Sequence, residues 1–504
     1  MAKIGHESEI TDSTKQGGLV AAYYFGCLFG AFFGGSIADR YGRKKGVWVG
    51  SLFCILGGSL QAGSQNTNMF LCARVIAGLG VGFINSIIPP WISELAKAHE
   101  RGANFAMIFI SNCKSPSLPV QYPDFFMRWP ADLLLMFQMP VLIVVCIVYF
   151  IPDSPRWLIA NGRREEAIDI LAKVRGDLAY DDQALVAEVE QLEAVIEASY
   201  HKRNRLHNLV LGRYSGRLHL GRRVWLSILL QQMELWTGIM AITTYSGKLM
   251  AQAGFSPGKA AWLAGLCNTL GGVLGTAAAI PVIDRLGRVK SFLVGLVLQG
   301  TVLVISAAFT KVSEDSADNP ARAQAFGIAS TCMVFLFLFS FCMFTIIPCW
   351  IWSTEIWPQE IRAKAFAFTI LGWGVGCGVT TLVIPIMLSR LGWATFLVFA
   401  CLNVVSFPIV WFFYPETTGR SLEEMNLVFA SPSLLVSKNM EEYQRMIDSA
   451  GGSVPLAARR LLDEVDAEYS EKDVQAEMAI EEGKAGVHVG QINHVAAESD
   501  KNSG

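Results

Sequence analysis

A succession of apolar runs, each close to the roughly 20 residues a helix needs to cross a bilayer, constrains this chain more than any other feature. The runs fall at 17–38, 46–64, 69–91, 130–151, 224–250, 260–283, 289–310, 325–349, 363–388 and 392–413. Lipid offers no water to backbone N–H and C=O groups, so such segments must be helices that close their own hydrogen bonds. Charge agrees with this, since only 17% of the 504 residues are Asp, Glu, Lys or Arg, against about 25% in an average soluble domain. The fold class is therefore an all-α polytopic membrane protein.

The charges cluster in the intervals between the runs. Arg40, Arg43, Lys44 and Lys45 follow the first run, Arg285, Arg288 and Lys290 separate two later ones, and the 153–223 connection is rich in Arg. Short loops rich in Lys and Arg stay on the cytoplasmic side, which sets the expected orientation. Lys97 to Arg101 is then cytoplasmic as well. The single good run at 130–151 gives the wrong parity, so either 103–127 completes a crossing in some irregular way or the chain carries a topological defect. The 153–223 connection carries apolar residues at helical spacing in Arg164 to Val174 and Asp182 to Ser199, a pattern that predicts surface helices.

Several function classes fall away. The net charge of −2 comes without a basic face, so nucleic acid is not a partner. The eleven cysteines lie mostly inside apolar runs with no C-x-x-C pair, reading as small buried hydrophobes with no metal or cofactor implied. No nucleophile–base set or nucleotide loop stands out, so an enzyme is not expected. Residues 1–16 are polar and do not form a signal peptide. The tail beyond Asp463 is rich in Glu, Lys and Ala and is expected to be partly disordered.

The most specific signal is an internal repeat. Asp39-Arg40-Tyr41-Gly42-Arg43 recurs as Asp284-Arg285-Leu286-Gly287-Arg288, and the pair Glu94 and Arg101 recurs as Glu355 and Arg362. Duplicated halves are how many transporters are built, with the solute between them. Carboxylates and guanidiniums at helix ends can pair when the halves meet and rehydrate when they part. These ten residues are the candidate cytoplasmic gate; the plainer reading is that the Arg clusters only set topology. Small residues at helical spacing, Gly26, Gly30 and Gly34, then Gly78 and Gly82, then Gly372 to Gly378, mark surfaces where membrane helices can pack closely.

The stretches GGSIADRYGRKKG (34–46), RVIAGLGVG (74–82), WISELA (91–96), PDSPRWL (152–158), DRLGR (284–288), WSTEIWPQEIRAK (352–364) and PETTGRSLEEM (415–425) resemble the sugar porter family of the major facilitator superfamily. The resemblance implies two pseudo-symmetric six-helix bundles. It divides this chain into a polar start (1–16), an N-terminal bundle (17–151), a cytoplasmic connection (152–223), a C-terminal bundle (224–414) and a tail (415–504). Two departures are expected to leave about 11 of 12 helices. The family's first helix would precede Lys15, where only polar residues stand, and the fifth would continue past Cys113, where Lys114 to Asp124 is unlike it.

The resemblance also implies a solute site. Gln231 matches an amide position and Tyr245 an aromatic one, while Trp350 and Trp373 match lining tryptophans; Thr237 belongs to the same motif. Asn268 sits one helical turn from the family's asparagine. Glu234 stands where glutamine is usual, and Gly372 and Gly376 where amides are often found. An ionisable residue about ten residues into an apolar helix is costly and usually faces a water-filled path or a partner, so Glu234 is read as a solute contact or proton site, against a carboxyl kept neutral in a pocket wall. The expected function is transport of a small polar solute, a sugar or polyol, by a monomer in the plasma membrane, with the bilayer and protons as further partners. The alternatives are a non-transporting solute sensor and a truncated, inactive form.

Overall fold

The computed structural model describes residues 13–95, 148–176, 182–198, 216–252, 255–316, 319–358, 361–465 and 467–468. The two departures expected from the sequence, before Lys15 and around 103–127, lie outside the described residues or at their very edge. So does most of the 130–151 run.

Three long helices come first: α1 (Ser13–Tyr41), α2 (Arg43–Ala62) and α3 (Thr67–Leu95). The connection holds α4 (Pro155–Ala160), α5 (Arg164–Arg175) and α6 (Gln183–Ala198), where surface helices are expected. The second half runs α7 (Leu220–Leu235), α8 (Ile239–Gln252), α9 (Pro257–Leu266), α10 (Gly272–Leu286), α11 (Arg288–Asp315), α12 (Pro320–Phe341), α13 (Ile347–Glu355), α14 (Arg362–Leu391) and α15 (Ala394–Phe413). Among the described residues, six continuous spans are long and apolar enough to cross a membrane: 17–41, 67–92, 288–315, 321–355, 365–391 and 394–413. Their outer faces leave Phe25, Phe29, Phe33, Val404, Trp411 and Phe412 exposed, a surface suited to lipid rather than water.

The 224–250 run, which the sequence presents as one helix, is broken. Gly238 adopts φ +108, a left-handed geometry that interrupts the helical ladder and that glycine takes without Cβ strain. Thr237 sits at the break with its hydroxyl on the Glu234 carbonyl at 2.7 Å, and Asn403 Nδ2 reaches the Thr237 carbonyl at 3.0 Å. Two other helices widen into single π turns, at Cys267–Gly271 and Cys342–Ile346. The second lies just before Pro348, which has no N–H to return to the preceding turn. Such turns often occur at functional sites.

The chain divides into two compact units, one of Met1–Tyr200 with Arg223–Leu422 and another of His201–Arg222 with Glu423–Gly504. In the first unit, α1 and α3 touch through glycine. A Cβ at Gly26 or Gly30 would run into the Val75 or Leu79 carbonyl, and one at Gly78 or Gly82 into that of Tyr23 or Cys27. The two backbones are therefore in direct contact, which in lipid replaces the hydrophobic drive that is missing there. The second half packs around Leu303, Phe337, Phe341, Ile384, Phe396 and Phe399, all nearly inaccessible. In the second unit Arg217 pairs with Glu442 at 2.8 Å and Glu464 at 2.9 Å, and Arg222 lies over the Phe429 ring. The tail read as polar from Pro415 is helical over Leu422–Val428, Val436–Ser449 and 454–465.

The glycine contacts make a graded prediction. Gly30→Val meets backbone and is expected to cost about 1–3 kcal/mol of stability, whereas Gly35→Ala enters open space and should match the parent. Thermal melts of the detergent-solubilised protein would show a lowered midpoint for the first variant only.

Candidate functional site

Two constellations are built from the residues that the sequence singles out. The first lies where α7, α13 and α14 face one another. Gln231 and Glu234 are three residues apart on α7 and thus on one face, and both are buried, 0% and 2% exposed. Gln231 Nε2 donates to Cys349 Sγ at 3.4 Å, and Glu234 has Cys349 and Trp350 as hydrogen-bonding neighbours. Gln231 Oε1 and Glu234 Oε2 have no partner among the described residues. Buried polar atoms are almost always satisfied, and these two acceptors lie on one helix face with capacity for further donors.

Aromatic rings surround these atoms. Trp350 meets Trp373 at 6.2 Å, edge to face, and Phe366 at 6.0 Å. Trp373 in turn meets Tyr24 of α1 at 5.7 Å, again edge to face, and Tyr24 Oη points at Met240 Sδ of α8 at 3.9 Å. The cluster therefore draws on both halves. The glycines of α14, where the sequence was searched for amides, serve another purpose. Gln232 Nε2 donates to the Gly372 carbonyl at 2.6 Å, and its amide lies 3.1 Å from a Cβ placed at Gly376, so the missing side chains make room for an amide contributed by α7.

Of the candidate solute residues, Gln231, Glu234, Trp350 and Trp373 come together. Thr237 is buried with its hydroxyl used on its own helix, which is the work of a helix end. Tyr245 lies in α8 and Asn268 in the first π turn; only their backbones are described. Sequence reasoning passed over Gln232, Cys349 and Tyr24. Gln232 stood beside Gln231 in the motif and could have been found, whereas nothing in sequence links Tyr24 to Trp373.

The second constellation is the repeated charge motif. Gly42 and Gly287 have matching dihedrals, φ/ψ of 101/155 and 97/166, and each precedes the first residue of a long helix, α2 or α11. Such φ values strain any residue with a Cβ. Arg43 pairs with Asp39 at 2.5 Å, and Arg288 with Asp284 at 3.1 Å and Glu355 at 3.2 Å. Glu355 also accepts from Thr417 Oγ1 at 2.5 Å. Arg362 Nη2 donates to the Trp357 carbonyl at 3.3 Å, and Arg40 and Arg285 are exposed. Glu94 lies in α3 with only its backbone described, and Arg101 is outside the described residues.

Two acids not counted among the gate residues complete the motif. Asp153 Oδ1 accepts from Lys44 N at 3.2 Å. Glu416 accepts from the N–H groups of Arg288, Val289 and Lys290 at 2.8, 3.1 and 3.3 Å. Each caps the start of the helix after the motif, where orphan N–H groups and the helix dipole favour an anion. Indole N–H groups add a further tie, Trp157 to the Asp39 carbonyl at 3.0 Å and Trp352 to that of Pro415 at 2.9 Å. The sequence signal was present in Pro-Asp at 152–153 and Pro-Glu at 415–416. Of the gate pairs described, Asp39–Arg43 lies within one half and Arg288–Asp284–Glu355 within the other, each Arg being held by acids at its own helix ends.

Two helical halves with the same charged turn, around a buried polar and aromatic centre, define a transporter of the major facilitator fold rather than an enzyme. The chain belongs to the sugar (and other) transporter family, whose model matches residues 2–429. It is 29% identical to the sugar transporter STL1 of Saccharomyces cerevisiae over 82% of this chain and 72% of that one. It is also 29% identical to the glucose transporter GlcP of Staphylococcus epidermidis, over 83% and 90%. In fold it is similar to the proton:xylose symporter XylE, with a TM-score of 0.67 at 21% identity, covering 84% of this chain and 91% of that one.

Glu416 is predicted to carry more of the fold than its loop position suggests. Glu416→Ala removes the acceptor for three helix N–H groups and should cost about 1–3 kcal/mol. A clear drop in the melting midpoint, larger than that for exposed Arg285→Ala, would be the expected reading.

Proposed function

We propose that this multi-pass membrane protein carries a sugar or polyol by alternating access, holding it against Gln231, Glu234, Trp350 and Trp373. The observation that supports this most directly is the pair of orphaned acceptors, Gln231 Oε1 and Glu234 Oε2, set among tryptophan rings. Hydroxyl groups of a polyol supply the missing donors, and the apolar face of a sugar ring packs on aromatic faces. The relatives named for sugar, glucose and xylose are consistent with that chemistry. Thr237, Tyr245 and Asn268 complete the proposed lining from α7, α8 and the first π turn.

The repeated charged turns, Asp39, Arg40, Arg43, Glu94 and Arg101 with Asp284, Arg285, Arg288, Glu355 and Arg362, act as the cytoplasmic gate in this reading. Their basic residues place that side in the cytoplasm. The protein works as a monomer in the plasma membrane, and Glu234 is the candidate for any proton that travels with the solute.

Uptake of labelled glucose, xylose, sorbitol and glycerol into cells lacking their own carriers tests the proposal. Gln231→Ala and Trp350→Ala should each raise KM about tenfold, equivalent to roughly 1.4 kcal/mol. Glu355→Gln should lower the maximal rate and leave KM within about twofold, since a gate acts on conformational balance rather than on contacts. If no sugar or polyol enters above background while the protein is present at the cell surface, the proposal fails.

A further inference from the structure

The polar atoms at the centre are unbalanced in kind. Three amide and hydroxyl donors at the centre are engaged within the protein: Gln231 Nε2 on Cys349, Gln232 Nε2 on the Gly372 carbonyl and Thr237 Oγ1 on the Glu234 carbonyl. Two acceptor oxygens beside them, Gln231 Oε1 and Glu234 Oε2, have no hydrogen-bond partner among the described residues. A solute seated here must bring donors, and one of the two acceptors belongs to a carboxyl.

Among the described residues, no countercharge acts on that carboxyl. The described side chains that act on Glu234 are Cys349 and Trp350, with Cys377 on α14 also interacting with it, and none of these is cationic. Arg223, on the same helix, is eleven residues away, about 16 Å along the axis, and is engaged with the Ile356 carbonyl at 2.6 Å. An ionisable group at membrane depth ordinarily faces a partner of opposite charge or a water-filled path, yet Glu234 is 2% exposed. Beside it stands Trp350, with the Trp373 ring against Trp350 and Tyr24 next in line. Carboxyl and aromatic surfaces together suit an ammonium group, which offers several N–H donors and is attracted to ring faces.

We propose that the cation missing from this site is supplied by the solute, and that the protein prefers sugars or polyols bearing a charged amino group over their neutral counterparts. The inference rests on the transport reading above and sharpens its substrate class. Gln231 Oε1 takes a second donor from the same solute, while Gln232, held on α14, fixes the floor beside it.

Matched pairs provide the test: sorbitol against 1-amino-1-deoxysorbitol, and glucose against glucosamine, at a pH that keeps the amines charged. Labelled uptake and mutual competition are measured in carrier-deficient cells expressing the full chain, with surface abundance recorded for every variant. The amino member of each pair is expected to compete at about tenfold lower concentration, a difference of roughly 1.4 kcal/mol. Glu234→Gln should bring that ratio to about one, whatever it does to the absolute rates, and Glu234→Asp should preserve its direction. Should Glu234→Gln fail to reach the surface, tryptophan-fluorescence titrations of purified parent and Glu234→Asp with the same pairs read the preference directly. Equal uptake of both members by the parent, as expected if Glu234 only carries a proton or only accepts hydroxyls, overturns this inference and leaves transport intact. A ratio unchanged in Glu234→Gln overturns it too. Uptake of neither member would instead sink the transport reading, and this inference with it.

Discussion

The lack of water in the bilayer interior governs this structure, because every backbone or side-chain polar group there must find its partner in the protein. Helices satisfy their own interiors, so the difficulty concentrates at ends and breaks. Asp153 and Glu416 settle the starts of α2 and α11 by accepting N–H groups that have no carbonyl to meet. At the Gly238 break, Asn403 takes the Thr237 carbonyl. Some buried acceptors still keep no partner among the described residues, Gln299 Oε1 and Asn403 Oδ1 for example, and Gln231 Oε1 and Glu234 Oε2 are the ones at the polar cluster.

Much of the fold was legible because one physical rule wrote it in large letters. Apolar runs of spanning length located the helices of both halves, and the D-R-x-G-R repeat located two turns whose dihedrals agree within about ten degrees. Other features left little trace. The break at Gly238 lies inside an apolar run that hydropathy cannot divide, and π turns arise from tertiary packing rather than from local preference. The tail helices 436–449 and 454–465 were obscured because their sequence is polar, although the helical period is present.

The centre of the molecule was legible in part for a similar reason. Gln231, Glu234, Trp350 and Trp373 could be named because each sits in a recognisable motif. What they touch could not be, since contacts join positions more than a hundred residues apart. The empty positions Gly372 and Gly376 read as a loss of amides along the sequence, yet in space they admit Gln232 from α7. Residue type at one position is therefore a poor guide to the chemistry of a site that several helices share.

The strengths of these contacts differ in a way that bears on movement. Within each half, buried guanidiniums meet carboxylates and backbone N–H groups are capped by acids, and charge-assisted bonds of this kind are about twice as strong as neutral ones. Across the halves, the described contacts of the central cluster are ring edges and a hydroxyl–sulfur approach: Tyr24 on Trp373 and Tyr24 on Met240. Aromatic pairs contribute only about 0.5–1.5 kcal/mol beyond their area, and a hydroxyl–sulfur contact at 3.9 Å adds little. The two halves also pack directly along α1 and α14, where a Cβ at Gly17 would meet the Leu382 carbonyl and one at Gly374 the Leu28 side chain, so what joins them is neutral packing rather than paired charge. Rocking about a central site parts and re-forms contacts of this neutral kind while the charge-assisted ones within each half persist.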